Sequence, residues 1–176
     1  ILILMYNDLL LKEIQSAELN LLKKLLEVCG KYGLKCWAEG GTLLGAVRHK
    51  GFIPWDDDVD VCMPREDYDR LIAIADKEFS KPYFLQTAYT DKEYYRGQAQ
   101  LRLDGTAAIR PSDSYRAFHQ GIFIDIFPLD GVPEDDNELK KLVHDIMYTY
   151  KFMKAGTTNL LYSGRWSLIF RKLKSR

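Results

Sequence analysis

The stretch that most constrains this chain runs from Trp37 to Pro64, WAEGGTLLGAVRHKGFIPWDDDVDVCMP, where a pair of glycines is followed by a dense set of carboxylates. An apolar run, Leu34 to Ala38, meets Glu39, Gly40 and Gly41, and Thr42 then opens a short apolar segment, Leu43 to Val47. That order predicts a strand, a tight turn and a helix start. Adjacent glycines let the backbone turn where a Cβ would clash, and Thr42 stands where it can cap the helix. Backbone N–H groups and a hydroxyl would then converge on one spot suited to a phosphate.

Asp56, Asp57 and Asp58 lead into Val59, Asp60, Val61, Cys62 and Met63, where β-branched residues predict a second strand. Alternation puts Asp58 and Asp60 on one face and turns Val59 and Val61 toward a core. Two like charges ~5 Å apart repel by roughly 3 kcal/mol at an effective dielectric of about 20, a cost that a bound divalent cation removes. Hard oxygen ligands select Mg²⁺, Mn²⁺ or Ca²⁺ over zinc, and carboxylates combined with substrate phosphates are the usual way Mg²⁺ is held.

Other readings of the stretch fit less well. An isolated acidic loop would not enter a strand as this one does. An EF-hand loop would place Asp56, Asp58 and Asp60 at its first, third and fifth positions and Asp67 at its last, but Val61 sits where glycine is required and Pro54 opposes an incoming helix. The Walker spacing counted from Gly40 reaches Gly45 and then finds Ala46 and Val47 in place of Lys and Ser or Thr, and no G-x-G-x-x-G is present.

Arg48, His49 and Lys50 lie between the glycines and the acids, positive charge suited to a donor's phosphates or to a solvated loop. Trp55, beside the acids, can stack on a base or simply pack. Upstream, Leu9, Leu10, Ile14, Ala17, Leu21, Leu22, Leu25, Leu26 and Val28 fall at helical spacing, with Glu18 and other charges mostly between them. They predict an amphipathic helix ending near Gly30 or Gly33. Downstream, Asp67 to Phe79 reads as a helix with Tyr68, Leu71, Ile72, Ile74 and Ala75 inward.

Tyr83 to Tyr89 and Gln98 to Leu103 read as strands, Asp104-Gly105 as a turn and Thr106 to Ile109 as a return strand. Arg102 and Arg110 flank this hairpin, either as surface residues or as contacts to an anionic donor. Gly121 to Leu129, GIFIDIFPL, has the pattern of a strand buried on both faces. Its one charge, Asp125, needs a cation, an arginine or a site, because a buried carboxylate without compensation is very costly. Asp130 to Asp136 follows as an acidic connector, then helices over Glu138 to Ala155 and Trp166 to Leu173.

Lys plus Arg and Asp plus Glu are both 25, and zero formal net charge argues against a general binder of nucleic acid or anionic membrane. Cys29, Cys36 and Cys62 are an odd number without metal spacing, read as free thiols in a reducing, cytoplasmic setting. Ile1 to Met5 is too short to span a membrane and lacks the marks of a signal peptide; the expectation is no transmembrane segment, with peripheral membrane association still open. The chain starts without methionine, so the expectation is a single domain over 1–176 belonging to a longer polypeptide.

Glu39 to Pro64, with the following Arg65, Glu66, Asp67 and Tyr68, closely resembles the signature of the LicD and fukutin-related family of the nucleotidyltransferase superfamily. GIFIDIFPLD, Gly121 to Asp130, is similar to that family's next block, and the resemblance covers roughly Leu19 to Val132. It implies an α/β (α+β) nucleotidyltransferase-like fold, a mixed sheet with flanking helices, in which a glycine turn faces a D-x-D strand and a third acid on a neighbouring strand. Carried onto this chain, these are Gly40 and Gly41, Asp58 and Asp60, and Asp125. The family's further C-terminal portion, with its tyrosine-glycine and proline-rich signature, is absent before Arg176.

What the resemblance implies about activity is transfer of a phosphorylated alcohol, typically phosphocholine, from a CDP-linked donor to a hydroxyl of a glycan or cell-surface polysaccharide. Asp58, Asp60 and Asp125 would hold Mg²⁺ or Mn²⁺, while Gly40, Gly41, Thr42, Arg48, His49, Trp55 and Arg102 would line the donor site. Asp125 or Asp58 would take the acceptor's proton. A catalytically silent module binding a CDP-alcohol or glycan is the alternative.

Overall fold

Helix α1, Asp8–Tyr32, turns Leu21, Leu25 and Val28 into the core, at the spacing expected for one helix face. It ends in a wrap made by Gly33, whose φ is +63°, with the Leu34 N–H donating to the Cys29 carbonyl at 2.9 Å. This is why the first strand is shorter than expected. Leu34 is used to close the helix, and β1 is only Trp37–Ala38. The structure, a computed structural model, describes residues 8–157, so the expected helix over Trp166 to Leu173 and the apolar segment Ile1 to Met5 lie outside the described residues.

There follow α2 (Gly40–His49), β2 (Asp60–Pro64), α3 (Arg65–Ala73), α4 (Ala75–Glu78), β3 (Tyr83–Gln86), β4 (Ala99–Leu103), β5 (Phe123–Leu129) and α5 (Asp136–Thr157). The strands form one mixed sheet in the order β1-β2-β5-β4-β3. Only β2 and β5 run parallel; the other neighbours are antiparallel. The chain therefore has the expected α/β architecture, a mixed sheet with flanking helices. The return strand expected over Thr106 to Ile109 does not form, because β4 already has β3 on one side and β5 on the other.

Register sorts the two faces of the sheet. Leu85 pairs with Leu101 and Leu101 with Ile124, while Ala99 pairs with Ile126 and Ile126 with Val61. These apolar rows meet Leu21, Leu25 and Val28 of α1 and Leu71 of α3 in a single core. The alternate row is polar across four strands: Asp60 opposite Asp125, Asp125 opposite Gln100, and Gln100 opposite Gln86. Directly paired residues point to the same side of a sheet, so these side chains share the face away from α1.

The described residues group into two compact units, one of 8–109 with 117–130 and one of 110–116 with 131–157. The first holds the sheet and α1 to α4. In the second, the Asp135 carboxylate caps α5 by accepting from the N–H groups of Asn137 (3.0 Å) and Glu138 (2.9 Å).

Candidate active site

Asp60 and Asp125 lie opposite one another on parallel strands, which are ~4.8 Å apart, and so leave the same face side by side. Asp125 is 7% exposed. Its Oδ1 accepts from Gln100 Nε2 at 2.7 Å and from Gln98 Nε2 at 3.3 Å. The Tyr94 hydroxyl in turn donates to the Gln98 carbonyl at 3.0 Å, which fixes the loop leading into β4. Burial, and after it the charges of Asp58, Asp125, Glu39 and Asp56, pushes the Asp60 carboxyl up to about 6.

The glycine turn borders this pair. Glu39 N–H donates to the Asp60 carbonyl at 3.0 Å, and Gly40 opens α2 with a φ of +52°, a conformation that favours glycine. A Cβ on Gly40 would sit 3.9 Å from Asp60 Oδ2, and one on Gly41 would sit 2.7 Å from Asp56 Oδ2. Thr42 does not cap α2 as expected. Its Oγ1 accepts from the Asp60 N–H at 2.8 Å, tying the helix to β2 at the residue that matters. Gly45 is close-packed: a Cβ there would meet the Gly51 carbonyl oxygen at 2.5 Å, so the loop carrying the acids can run back along the helix only over a glycine.

Other expected site residues are placed differently. β2 begins at Asp60, so Asp58 is an exposed loop residue and does not share a strand face with Asp60. Among the described residues, no three His, Cys, Asp or Glu side chains converge into a ready-made metal-binding group. Arg48 and His49 are exposed in the last turn of α2, ~12 Å along the helix from Gly40 at the usual rise per residue. Trp55 is 77% exposed and meets the His49 ring edge-on, with centroids 6.4 Å apart. Arg102 is a correction: it is 3% exposed, and its guanidinium donates to Gln86 Oε1, to Gln100 Oε1 and to the Gly121 carbonyl (2.6 Å). It reaches the site through Gln100 and does not face a donor.

Glu18 is the residue that sequence reasoning set among the exposed charges and that the structure buries, at 4% exposure. Its Oε2 has no hydrogen-bond partner among the described residues. Burial, then the charges of Asp58, Asp57, Asp56 and Asp60, pushes its carboxyl up to about 9. On the same helix, Gln15 Nε2 donates to the Asp56 carbonyl at 2.8 Å, so α1 holds the acidic loop from below. The spacing 14-18-21-25-28 would have revealed it, since Glu18 occupies a place on the apolar stripe.

Two signature residues prove to be framework. Arg65 and Asp130 form a bidentate pair, both contacts 2.7 Å, joining the ends of β2 and β5. Asp67 accepts from the Lys35 N–H at 3.0 Å and from Arg70 at 2.8 Å. A pocket of about 480 Å³ lined by residues including Phe84, Asp91, Asp104 and His119 lies past the Gln86 end of the polar row. Its lining does not include Asp60 or Asp125.

Residues 33–159 match the family described as LicD/FKTN/FKRP, nucleotidyltransferase domain. The lipopolysaccharide cholinephosphotransferase LicD of Haemophilus influenzae is 35% identical over 148 residues, covering 84% of this chain and 53% of that protein. The ribitol 5-phosphate transferase FKRP of Homo sapiens is 57% identical over 35 residues, 20% of this chain and 7% of its own. The uncharacterized protein RP689 of Rickettsia prowazekii is 46% identical over 71 residues, 40% of this chain and 24% of its own. The chain thus spans about half the length of the Haemophilus protein. With the signature stretch, the later acid-bearing strand and most of the chain between them matched, this protein belongs to the LicD/FKTN/FKRP nucleotidyltransferase-domain family.

Proposed function

We propose that this chain carries the core of a phosphotransferase that moves a phosphorylated alcohol, phosphocholine first among them, from a CDP-linked donor to a glycan hydroxyl. The observation that carries this reading is the in-register pair Asp60 and Asp125 beside the Gly40-Gly41 turn. The relative matched over most of this chain is a cholinephosphotransferase, and a second relative transfers ribitol 5-phosphate, so a phosphate ester of an alcohol is common to both.

The side chains suit Mg²⁺ or Mn²⁺. Burial and then acidic neighbours raise the Asp60 carboxyl, and a divalent cation beside Asp60 and Asp125 would offset that like charge. Asp60 and Asp125 would hold the ion, with Asp58 reaching in from its loop and the donor's phosphates completing the shell. When bound, the ion neutralises the diphosphate and favours departure of CMP.

The chain's own groups do the rest. First-turn N–H groups of α2, at the Gly40-Gly41 turn, point at phosphate oxygens, and Thr42 keeps Asp60 against that turn. The acceptor oxygen bonds to the phosphorus bearing the alcohol, the bond from that phosphorus to the CMP oxygen breaks, and Asp125 or Asp58 takes the hydroxyl proton.

Calorimetric titration with CDP-choline, with and without Mn²⁺, and an assay of CMP release with a glycan acceptor test the reading. Mn²⁺-dependent donor binding with CMP release is expected. No binding of CDP-choline or CDP-ribitol at millimolar Mn²⁺ would overturn it, and tight binding without CMP release would leave a binding module.

A further inference from the structure

The polar row contains an arrangement with a direction built into it. Arg102 can only donate hydrogen bonds. It donates to the side-chain oxygens of both Gln86 and Gln100, so each amide must turn its NH₂ group away from the guanidinium. Gln100 Nε2 then reaches Asp125 Oδ1 at 2.7 Å. Gln86 Nε2 reaches Asp91 Oδ2 at 2.6 Å and the His119 carbonyl at 3.0 Å. Arg102 is itself anchored by the Gly121 carbonyl at 2.6 Å and lies over the Phe123 ring, 4.6 Å from its centroid.

Gln86 and Gln100 are both fully buried, at 0% exposure. A buried amide held at both ends cannot flip without leaving a donor facing a donor, which costs the desolvation of unpaired groups. Of the two neutral amides that donate to Asp125 Oδ1, Gln100 at 2.7 Å and Gln98 at 3.3 Å, the nearer is therefore locked in one orientation. It fixes one oxygen of the carboxylate with a contact that carries no net charge of its own.

We propose that Gln100, oriented by Arg102, is a positioning residue that sets the rotation of the Asp125 carboxylate and so aims its second oxygen toward the Asp60 side of the sheet. This rests on Asp125 belonging to the transferase site proposed above. Neither glutamine belongs to the signature stretch, and the role follows from register: Gln100 is directly opposite Asp125 on β4, as Asp60 is on β2.

The test compares parent, Asp125→Asn, Gln100→Leu and Gln100→Glu in the full chain. Mn²⁺ affinity is measured by calorimetry in the presence of CDP-choline, and kcat and KM are measured for the donor. Gln100→Glu keeps an acceptor for Arg102 and the same shape, so it carries the test where Gln100→Leu fails to fold. Both Gln100 variants are expected to weaken Mn²⁺ binding tenfold or more and to lower kcat at least tenfold, with the KM for CDP-choline changed less than threefold. Mn²⁺ binding at parent strength or tighter in the folded Gln100 variants, while Asp125→Asn loses it, would overturn the positioning role and leave the transferase reading standing. Parent-like Mn²⁺ binding and turnover in Asp125→Asn would remove both.

Discussion

Asp60 and Asp125 are brought opposite each other by the one parallel pairing in the sheet, between β2 and β5. Because the two acids come from segments 65 positions apart, their proximity is a property of the fold. Replacing either by Asn keeps shape and removes one like charge. Apo stability is expected to rise by about 1 kcal/mol after allowance for solvent screening. The thermal stabilisation given by Mn²⁺ with CDP-choline should vanish, since a ligand that binds the native state raises its apparent stability. Differential scanning with and without both ligands measures this; an undiminished ligand-dependent shift in Asp60→Asn would count against the site.

Glu18 gives a pH dependence of definite sign. Its folded-state value, about 9, lies above the ordinary 4.5, so between those values the folded chain keeps a proton that the unfolded chain has released. Stability therefore falls as pH rises through that window. Glu18→Gln should change little at pH 5 and should stabilise by on the order of 2 kcal/mol at pH 8, measured by urea unfolding in EDTA. An equal gain at both pH values would show that charge at this position is not the cause.

Thr42 and Asp60 provide a test of local framework. Thr42→Val is nearly isosteric but removes the acceptor of the Asp60 N–H, leaving a half-buried donor unpaired. A loss of roughly 1–3 kcal/mol is expected, with most of it recovered in Thr42→Ser. If serine is no better than valine, the hydroxyl contact contributes nothing.

Two glycines should respond to different degrees. Gly45→Ala drives a methyl group into the backbone of Gly51 to Ile53, and a destabilisation of roughly 1–3 kcal/mol follows from such overpacking. At Gly41 the obstacle is only the far end of the Asp56 side chain, so Gly41→Ala should cost less than ~1 kcal/mol, helped by alanine's helix propensity. Its effect should fall on donor affinity. Calorimetric binding of CDP-choline to Gly41→Ala at parent strength would exclude the turn as a phosphate contact.

The order glycine turn, acidic run, strand, and later a lone acid in an apolar strand was legible in the residues because each signal is local. Glycine permits a turn, alternation marks a strand, and an acid between isoleucines stands out against its neighbours. The same logic gave α1, β2 and β5, whereas the mixed sheet was an implication of the family resemblance. What could not be read locally was decided by pairing. β1 stops after two residues because Leu34 is taken up in closing α1, and β2 begins at Asp60, which leaves Asp58 in the loop. Arg102 reads as an exposed cation in a hairpin, yet β4 lies between β3 and β5, so its guanidinium is enclosed and must be satisfied by glutamines and a carbonyl. Glu18 is buried because the stripe that buries Leu21 and Leu25 includes its position. A residue's type and spacing are set along the chain, whereas its partners are set by which strands lie side by side, and hydrogen bonds and charges act over a few ångströms of space regardless of distance in sequence.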